Sequence, residues 1–193
     1  MNKNLEFEIV DIKDIEICRY LCDELMSYQK SKAILFPEAF NGMNFDTRMK
    51  KSCENTVDSQ IIICKDKDKP IGYAFSTIET ASKESAEFSP EWAPKSDSAE
   101  FRGFYPDWLE IPQKIGCLSN IYIKDEYRGI GLGYKFIEKS LSWLRNFSEV
   151  KYILVYISNG NDDALKFYQN NGFKFSHDVF GGFITAMFTL AIQ

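Results

Sequence analysis

Residues 128–134 read Arg-Gly-Ile-Gly-Leu-Gly-Tyr, and their spacing offers the clearest chemistry in the chain. An apolar stretch through Leu118, Ile121 and Ile123 leads into them, broken by Lys124, Asp125 and Glu126. A helical pattern starts directly after. The first turn of a helix leaves backbone N–H groups without internal acceptors, and the helix dipole adds partial positive charge there. A turn rich in glycine lets a ligand approach that main chain closely. The expected ligand therefore carries phosphate. Spacing then narrows the choice. A P-loop needs Gly-Lys-Ser/Thr, and Gly133-Tyr134-Lys135 does not supply it. A dinucleotide fingerprint needs a third glycine one residue later and an acid beyond the next strand; here Glu149 precedes that strand.

The elements that must hold this turn follow from periodicity. Residues 5–10 alternate apolar and charged, as a half-buried strand does. Asp14 is placed to cap a helix that buries Ile15, Cys18, Leu21, Cys22, Leu25 and Met26. Residues 30–43 read as a loop, and a short helix with Phe45, Met49 and Cys53 inward follows. Residues 61–64 and 71–78 form a hairpin around 66–70. A strand over 115–123 leads to the glycine turn and a helix over 131–147. Residues 152–157 are almost all apolar, as in a strand buried on both faces. Asn161 caps a helix that stops at Asn171-Gly172. Strands at 173–175 and 183–191 close the chain.

Residues 80–113 interrupt this pattern. They hold four prolines and six aromatics: Phe88, Trp92, Phe101, Phe104, Tyr105 and Trp108. Seven acids against three bases give the segment a charge of −4, most of the chain's −5. Loops of this length inside a domain are commonly functional. Carboxylates among aromatics suit a cationic amine. The competing reading is a solvated loop whose aromatics pack on the body.

With 193 residues, 45% apolar and 26% charged, the chain reads as one soluble domain, 1–193, with 80–113 as an insert. The net negative charge argues against a nucleic-acid partner. No stretch has the length of a membrane span or the pattern of a signal peptide, so a cytoplasmic location is expected. The five cysteines form no Cys-x-x-Cys, and His177 is the lone histidine. Reduced, buried thiols and no metal are expected.

The pattern Arg128-x-x-Gly131-x-Gly133 after a strand resembles the acyl-CoA motif of the GNAT superfamily of N-acetyltransferases. A second segment resembles the same family: Asn161, Ala164, Phe167-Tyr168, then Gly172-Phe173. The strong part of the likeness covers about 117–175; the insert has no counterpart in the common core. The resemblance implies an α/β (α+β) fold. Its mixed, mostly antiparallel sheet would have about seven strands flanked by about four helices. Two splayed strands would form the acyl-CoA site.

It further implies that acetyl-CoA is the cosubstrate. Gly129, Ile130, Gly131, Leu132, Gly133 and Tyr134 would wrap its pyrophosphate with backbone N–H groups, and Arg128 could add charge or face solvent. Backbone at Ile121, Tyr122 and Ile123 would pair with the pantetheine arm, strand to strand, and Asn161 would reach the same arm or the adenosine-side edge. An amine would attack the thioester through a tetrahedral intermediate, with the Ile121 N–H polarising the carbonyl. Tyr168 matches the residue that protonates the leaving thiolate, a phenol of ordinary pKa about 10 being a ready acid at neutral pH.

A base is needed, since an alkyl amine of pKa about 10.4 is almost wholly protonated at neutral pH. Some relatives carry a carboxylate on the strand before the motif. Here Ser119 and Asn120 stand there, and either could hold a water. Glu110 is the candidate base; a solvated surface glutamate is the competing reading. Glu100, Tyr105, Asp107, Trp108 and Asn120 are the candidate acceptor contacts. The partner is a small-molecule or peptide amine; a homodimer stays open. Two rival classes remain at this point: a non-catalytic acyl-CoA-binding regulatory module and a nucleotide-dependent oxidoreductase.

Overall fold

A computed structural model describes residues 5–95 and 102–191. Seven strands form one sheet in the order β1-β2-β3-β4-β5-β7-β6. They are β1 (Leu5–Val10), β2 (Asp58–Asp66), β3 (Lys69–Ala81), β4 (Gln113–Ile123), β5 (Tyr152–Ser158), β6 (Lys174–Val179) and β7 (Ile184–Leu190). All neighbours are antiparallel except β4 and β5. A parallel pair needs a crossover, and the helix after the glycine turn provides it.

The helices are α1 (Arg19–Lys32), α2 (Lys51–Glu54), α3 (Lys83–Glu87), α4 (Leu132–Leu144) and α5 (Asp162–Asn170). On one face of the sheet, α4 buries Ile137, Leu141 and Leu144 against Ile78, Leu118, Ile153 and Val155, while Leu132 and Phe136 cover Ala74. On the other face, α1 lays Leu21, Cys22 and Leu25 over Tyr73 and Phe75. Phe136 is fully buried; truncating such a side chain to Ala costs about 3–5 kcal/mol. Gly116 sets β4 against α4 closely enough that a Cβ there would lie 3.0 Å from Leu144.

Several local expectations need correction. Asp11, not Asp14, makes the first cap, accepting from the Lys13 N–H, and it starts a 3-10 turn at Ile12–Cys18 before α1. The helix expected around Phe45 to Cys53 divides into a π-turn at Asp46–Lys50 and α2. The loop expected at 30–43 contains the end of α1 and a 3-10 turn at Pro37–Gly42. In the insert, Ser82 and Ser85 build a capping box that starts α3. All five cysteines are free thiols; Cys18 and Cys22 are fully buried, and burial pushes them up to about 12 and about 11. Both pack in the core on the α1 side of the sheet. Among the described residues no helix is long and apolar enough to cross a membrane, and no cluster of His, Cys, Asp and Glu forms a metal site.

Candidate functional site

Two concave features meet at the middle of the sheet. The first is made by the main chain. β4 and β5 pair only at Gly116 with Ile153, Cys117 with Leu154, and Leu118 with Val155. Beyond that point both strands continue unpaired with each other, β4 to Ile123 and β5 to Ser158. The ladder groups of β4 that face β5 have no strand partner beyond that point. β4 also carries a bulge: the register with β3 steps from Ser76–Leu118 to Phe75–Asn120, leaving Ser119 without a partner. Bulges re-aim side chains, and Ser119 and Asn120 both turn toward the face opposite α4.

The glycine turn lies at the end of the same strand. Gly129 and Gly131 have φ of 75° and 85°, a conformation other residues resist. A Cβ on either would meet no atom within 4 Å. The turn is thus an open cradle at the mouth of α4, which suits a phosphate group. Gly133 is tight instead, with the Phe167 ring 3.2 Å from where a Cβ would stand. Tyr134 is exposed and packs edge-on against Phe167, Leu132 is buried, and Ile130 is exposed. The side chains of Ile121 and Ile123 join the α4 core, while Tyr122 is buried toward α1, so only their backbone faces the splay.

Arg128 is already engaged. Its Nε donates to the Ile123 carbonyl at 2.9 Å, its Nη2 pairs with Asp125 at 2.8 Å, and its guanidinium lies 4.6 Å from the Tyr28 ring centre. It fastens the turn to β4 and α1. Asn161 caps α5 through a 3.4 Å bond from the Ala164 N–H. Tyr168, on α5, is buried beside Phe167 and Phe173. Burial first and the nearby Cys117 second push its phenol up. Its hydroxyl makes no hydrogen bond among the described residues.

The second feature is a cavity of about 600 Å3 on the face opposite α4 and α5. Its floor is Phe75, Glu79, Cys117, Ser119 and Asn120; its roof is Trp92, Phe104 and Tyr105 of the insert; Arg48 comes from the π-turn. Glu79 enters deep. Burial raises its carboxyl above the ordinary range, opposed by the Thr77 hydrogen bond and by Arg48. Thr77 Oγ1 donates to Glu79 Oε1 at 2.7 Å and lies 3.2 Å from Ser119 Oγ. With the Thr77 proton given to Glu79, Ser119 donates to Thr77. A hydrogen-bonded chain therefore runs from the bulge at the splay to the half-buried carboxyl of Glu79. Sequence reasoning missed Glu79. Its signal was there: Tyr73, Phe75, Thr77 and Glu79 alternate on one strand face that is otherwise core.

Three hydrogen bonds among the described residues tie the middle of the insert to the body. The Phe180 N–H donates to the Arg102 carbonyl at 2.9 Å, the Tyr156 hydroxyl to the Phe104 carbonyl at 2.9 Å, and His177 Nε2 to the Gly103 carbonyl at 3.0 Å. Burial holds the His177 pKa below its usual value, and Ser176 hydrogen-bonds its other ring nitrogen. His177 packs against the insert and does not line the cavity.

Of the acceptor contacts expected from sequence, Tyr105 and Asn120 line the cavity. Asp107 does not; it is exposed and paired with Arg102 at 3.0 Å. Trp108 packs on Tyr152 and Phe188. Glu110 sits on an exposed loop, outside the cavity lining, where its carbonyl accepts from the Gln113 side chain. Glu100 lies outside the described residues. Of the described insert aromatics, Trp92 and Phe104 pack on Phe180 and Trp108 packs on Tyr152 and Phe188, while Phe88 is exposed; of the described insert acids only Glu91 reaches the cavity.

Comparison with known proteins follows this geometry. The model of the acetyltransferase (GNAT) family matches residues 25–173. No curated protein sequence matches the chain significantly. Among solved structures, the PaiA N-acetyltransferase from Thermoplasma acidophilum, in complex with coenzyme A, is similar with a TM-score of 0.61 at 15% identity, over 97% of this chain and 99% of that one. A GNAT-family acetyltransferase from Streptococcus pneumoniae gives 0.56 at 15% identity, over 97% and 99%. The ribosomal-protein-S18-alanine N-acetyltransferase from Escherichia coli gives 0.50 at 13% identity, over 95% and 90%. At such identities the likeness speaks for the fold.

Proposed function

This chain belongs to the acetyltransferase (GNAT) family, and on that premise we propose that it transfers an acetyl group from acetyl-CoA to the primary amine of a small molecule or peptide. The carrying observation is the splay of β4 from β5 past Leu118 and Val155, with the open turn of Gly129 and Gly131 at its end. Phosphate binds the turn. The pantetheine arm takes the place that β5 leaves along β4. Two of the structural relatives were solved with coenzyme A and with acetyl-CoA, which supports an acyl-CoA ligand for this fold.

Acetyl-CoA supplies the thioester that the amine attacks. The Ile121 N–H, on the unpaired stretch of β4, stabilises the developing oxyanion. Tyr168 holds its proton at neutral pH, because burial raises its pKa, and gives it to the departing sulfur. Ser119 receives the amine proton as it passes its own along Thr77 to Glu79. A desolvated carboxyl of raised pKa is a better-matched proton acceptor for an amine than a surface one. Glu79 thus replaces Glu110 as the base we assign. The amine arrives in its cationic form, attracted by that carboxylate, and gives one proton along this chain before it attacks; the second proton leaves the nitrogen as the intermediate collapses and balances the one that Tyr168 gives to sulfur.

Amine-dependent release of coenzyme A thiol tests this. A panel of amines with acetyl-CoA should yield thiol and acetylated amine in equal amounts. Tight acetyl-CoA binding with no amine-dependent thiol would establish the rival reading, a non-catalytic acyl-CoA-binding module.

A further inference from the structure

The acceptor cavity contains a cation that the reaction does not use. Arg48 projects from the π-turn Asp46–Lys50, where the Lys50 N–H bonds the Phe45 carbonyl at 3.0 Å and widens the turn. Its guanidinium carbon lies 4.6 Å from the Trp92 ring centre. Its Nε is buried and has no hydrogen-bond partner. Arg48 forms no ion pair among the described residues; Glu79 affects it through space but is not within pairing distance. Burial works against its charge. An unpaired guanidinium held in a cavity is costly unless something anionic completes it, and its planar fork matches a carboxylate. Lys51, one turn on, adds a second positive group to the wall.

Glu79 and Arg48 therefore present opposite charges to one cavity without neutralising each other. We propose that the acceptor is a small amino carboxylate, a free amino acid or a close analogue, whose carboxylate pairs with Arg48 while its amino group faces Glu79 and Ser119. The cavity of about 600 Å3 suits a ligand of that class. Trp92 and Tyr105 supply the apolar walls for a side chain. This assignment rests on the acetyltransferase reading and goes beyond it by choosing zwitterionic acceptors over polyamines.

The test compares each of several amino acids with its methyl ester and its decarboxylated amine on the wild-type enzyme. Two readouts are used: thiol release with acetyl-CoA, and calorimetric binding in the presence of coenzyme A. The free carboxylate should be preferred in both by about thirtyfold or more, the low end for losing one partner of a buried charge pair. In Arg48→Met that preference should collapse, and in Arg48→Lys it should recover in part, with acetyl-CoA affinity as the check on folding. Equal or better use of the decarboxylated amines by the wild-type enzyme overturns the proposal. Absence of thiol release with every amine overturns the acetyltransferase reading instead. The calorimetric ranking of carboxylates over amines then still decides the role of Arg48.

Discussion

The two halves of the site are built by different means. The cofactor side is main chain: an unpaired strand edge and a turn whose glycines have positive φ. The acceptor side is side chain: Arg48, Glu79, Trp92, Tyr105 and Ser119 converge from four separate segments. A main-chain site fixes position but tolerates many side chains. A side-chain site can change its ligand with one substitution. One half can thus serve a common cofactor while the other sets what is acetylated.

Substitutions should separate the halves. The largest effect is expected at Gly131. Its φ of 85° disfavours any β-branched residue, and a side chain would occupy the open cradle, although it meets no protein atom. Gly131→Val should fold and lose acetyl-CoA. At a hundredfold excess over Kd the wild-type protein should gain about 2.7 kcal/mol of stability, and the variant none, as read by melting temperature. A normal shift in the folded variant would remove the turn from the site.

Next comes Tyr168, which stands where the halves meet. Tyr168→Phe should lower kcat about a hundredfold or more and leave acetyl-CoA affinity intact, since the ring still packs on Phe167 and Phe173. Wild-type turnover would make Tyr168 a packing residue.

Glu79→Gln should lower kcat by about a hundredfold without weakening acetyl-CoA binding. It also carries a pH signature. The carboxyl's pKa is raised by burial, so it accepts a proton only above that raised value. The wild-type rate should climb with pH through it, and Glu79→Gln should lose that limb. Glu110→Gln, on the exposed loop, should behave like wild type. The reverse pair of results would return the base to Glu110.

The smallest effect concerns the roof. Burial lowers the His177 pKa in the folded state. Below the ordinary value of about 6.5 the unfolded chain takes up a proton that the folded chain refuses. Stability should therefore fall as pH drops from that value toward the lowered one. His177→Gln should flatten this dependence in pH-dependent melts. An unchanged slope would mean that His177 does not carry it.

Sequence and structure agree best on the elements around the glycine turn, for a physical reason. The strand, the glycine turn and α4 are neighbours in the chain, so their spacing alone describes the turn. The splay at 119–123 followed from the family resemblance and is visible in the short β4–β5 pairing. The acceptor side depends on contacts between distant residues. The charge of −4 in the insert says nothing of where each carboxylate points, and most of those described face solvent. Its aromatics were compatible with a ligand wall or with packing; Phe104 and Trp108 pack on Tyr156 and Tyr152. Arg48 lay beside an expected helix face, and only the π-turn brings it into the cavity.

Hydrogen exchange with and without acetyl-CoA tests the division most directly, because it reads backbone amides and needs no acceptor. The account predicts new protection at residues 119–123 and 129–134, with the amides around Arg48 and Glu79 largely unchanged. Protection confined to the cavity segments, with the strand edge and the glycine turn exchanging as before, would contradict it.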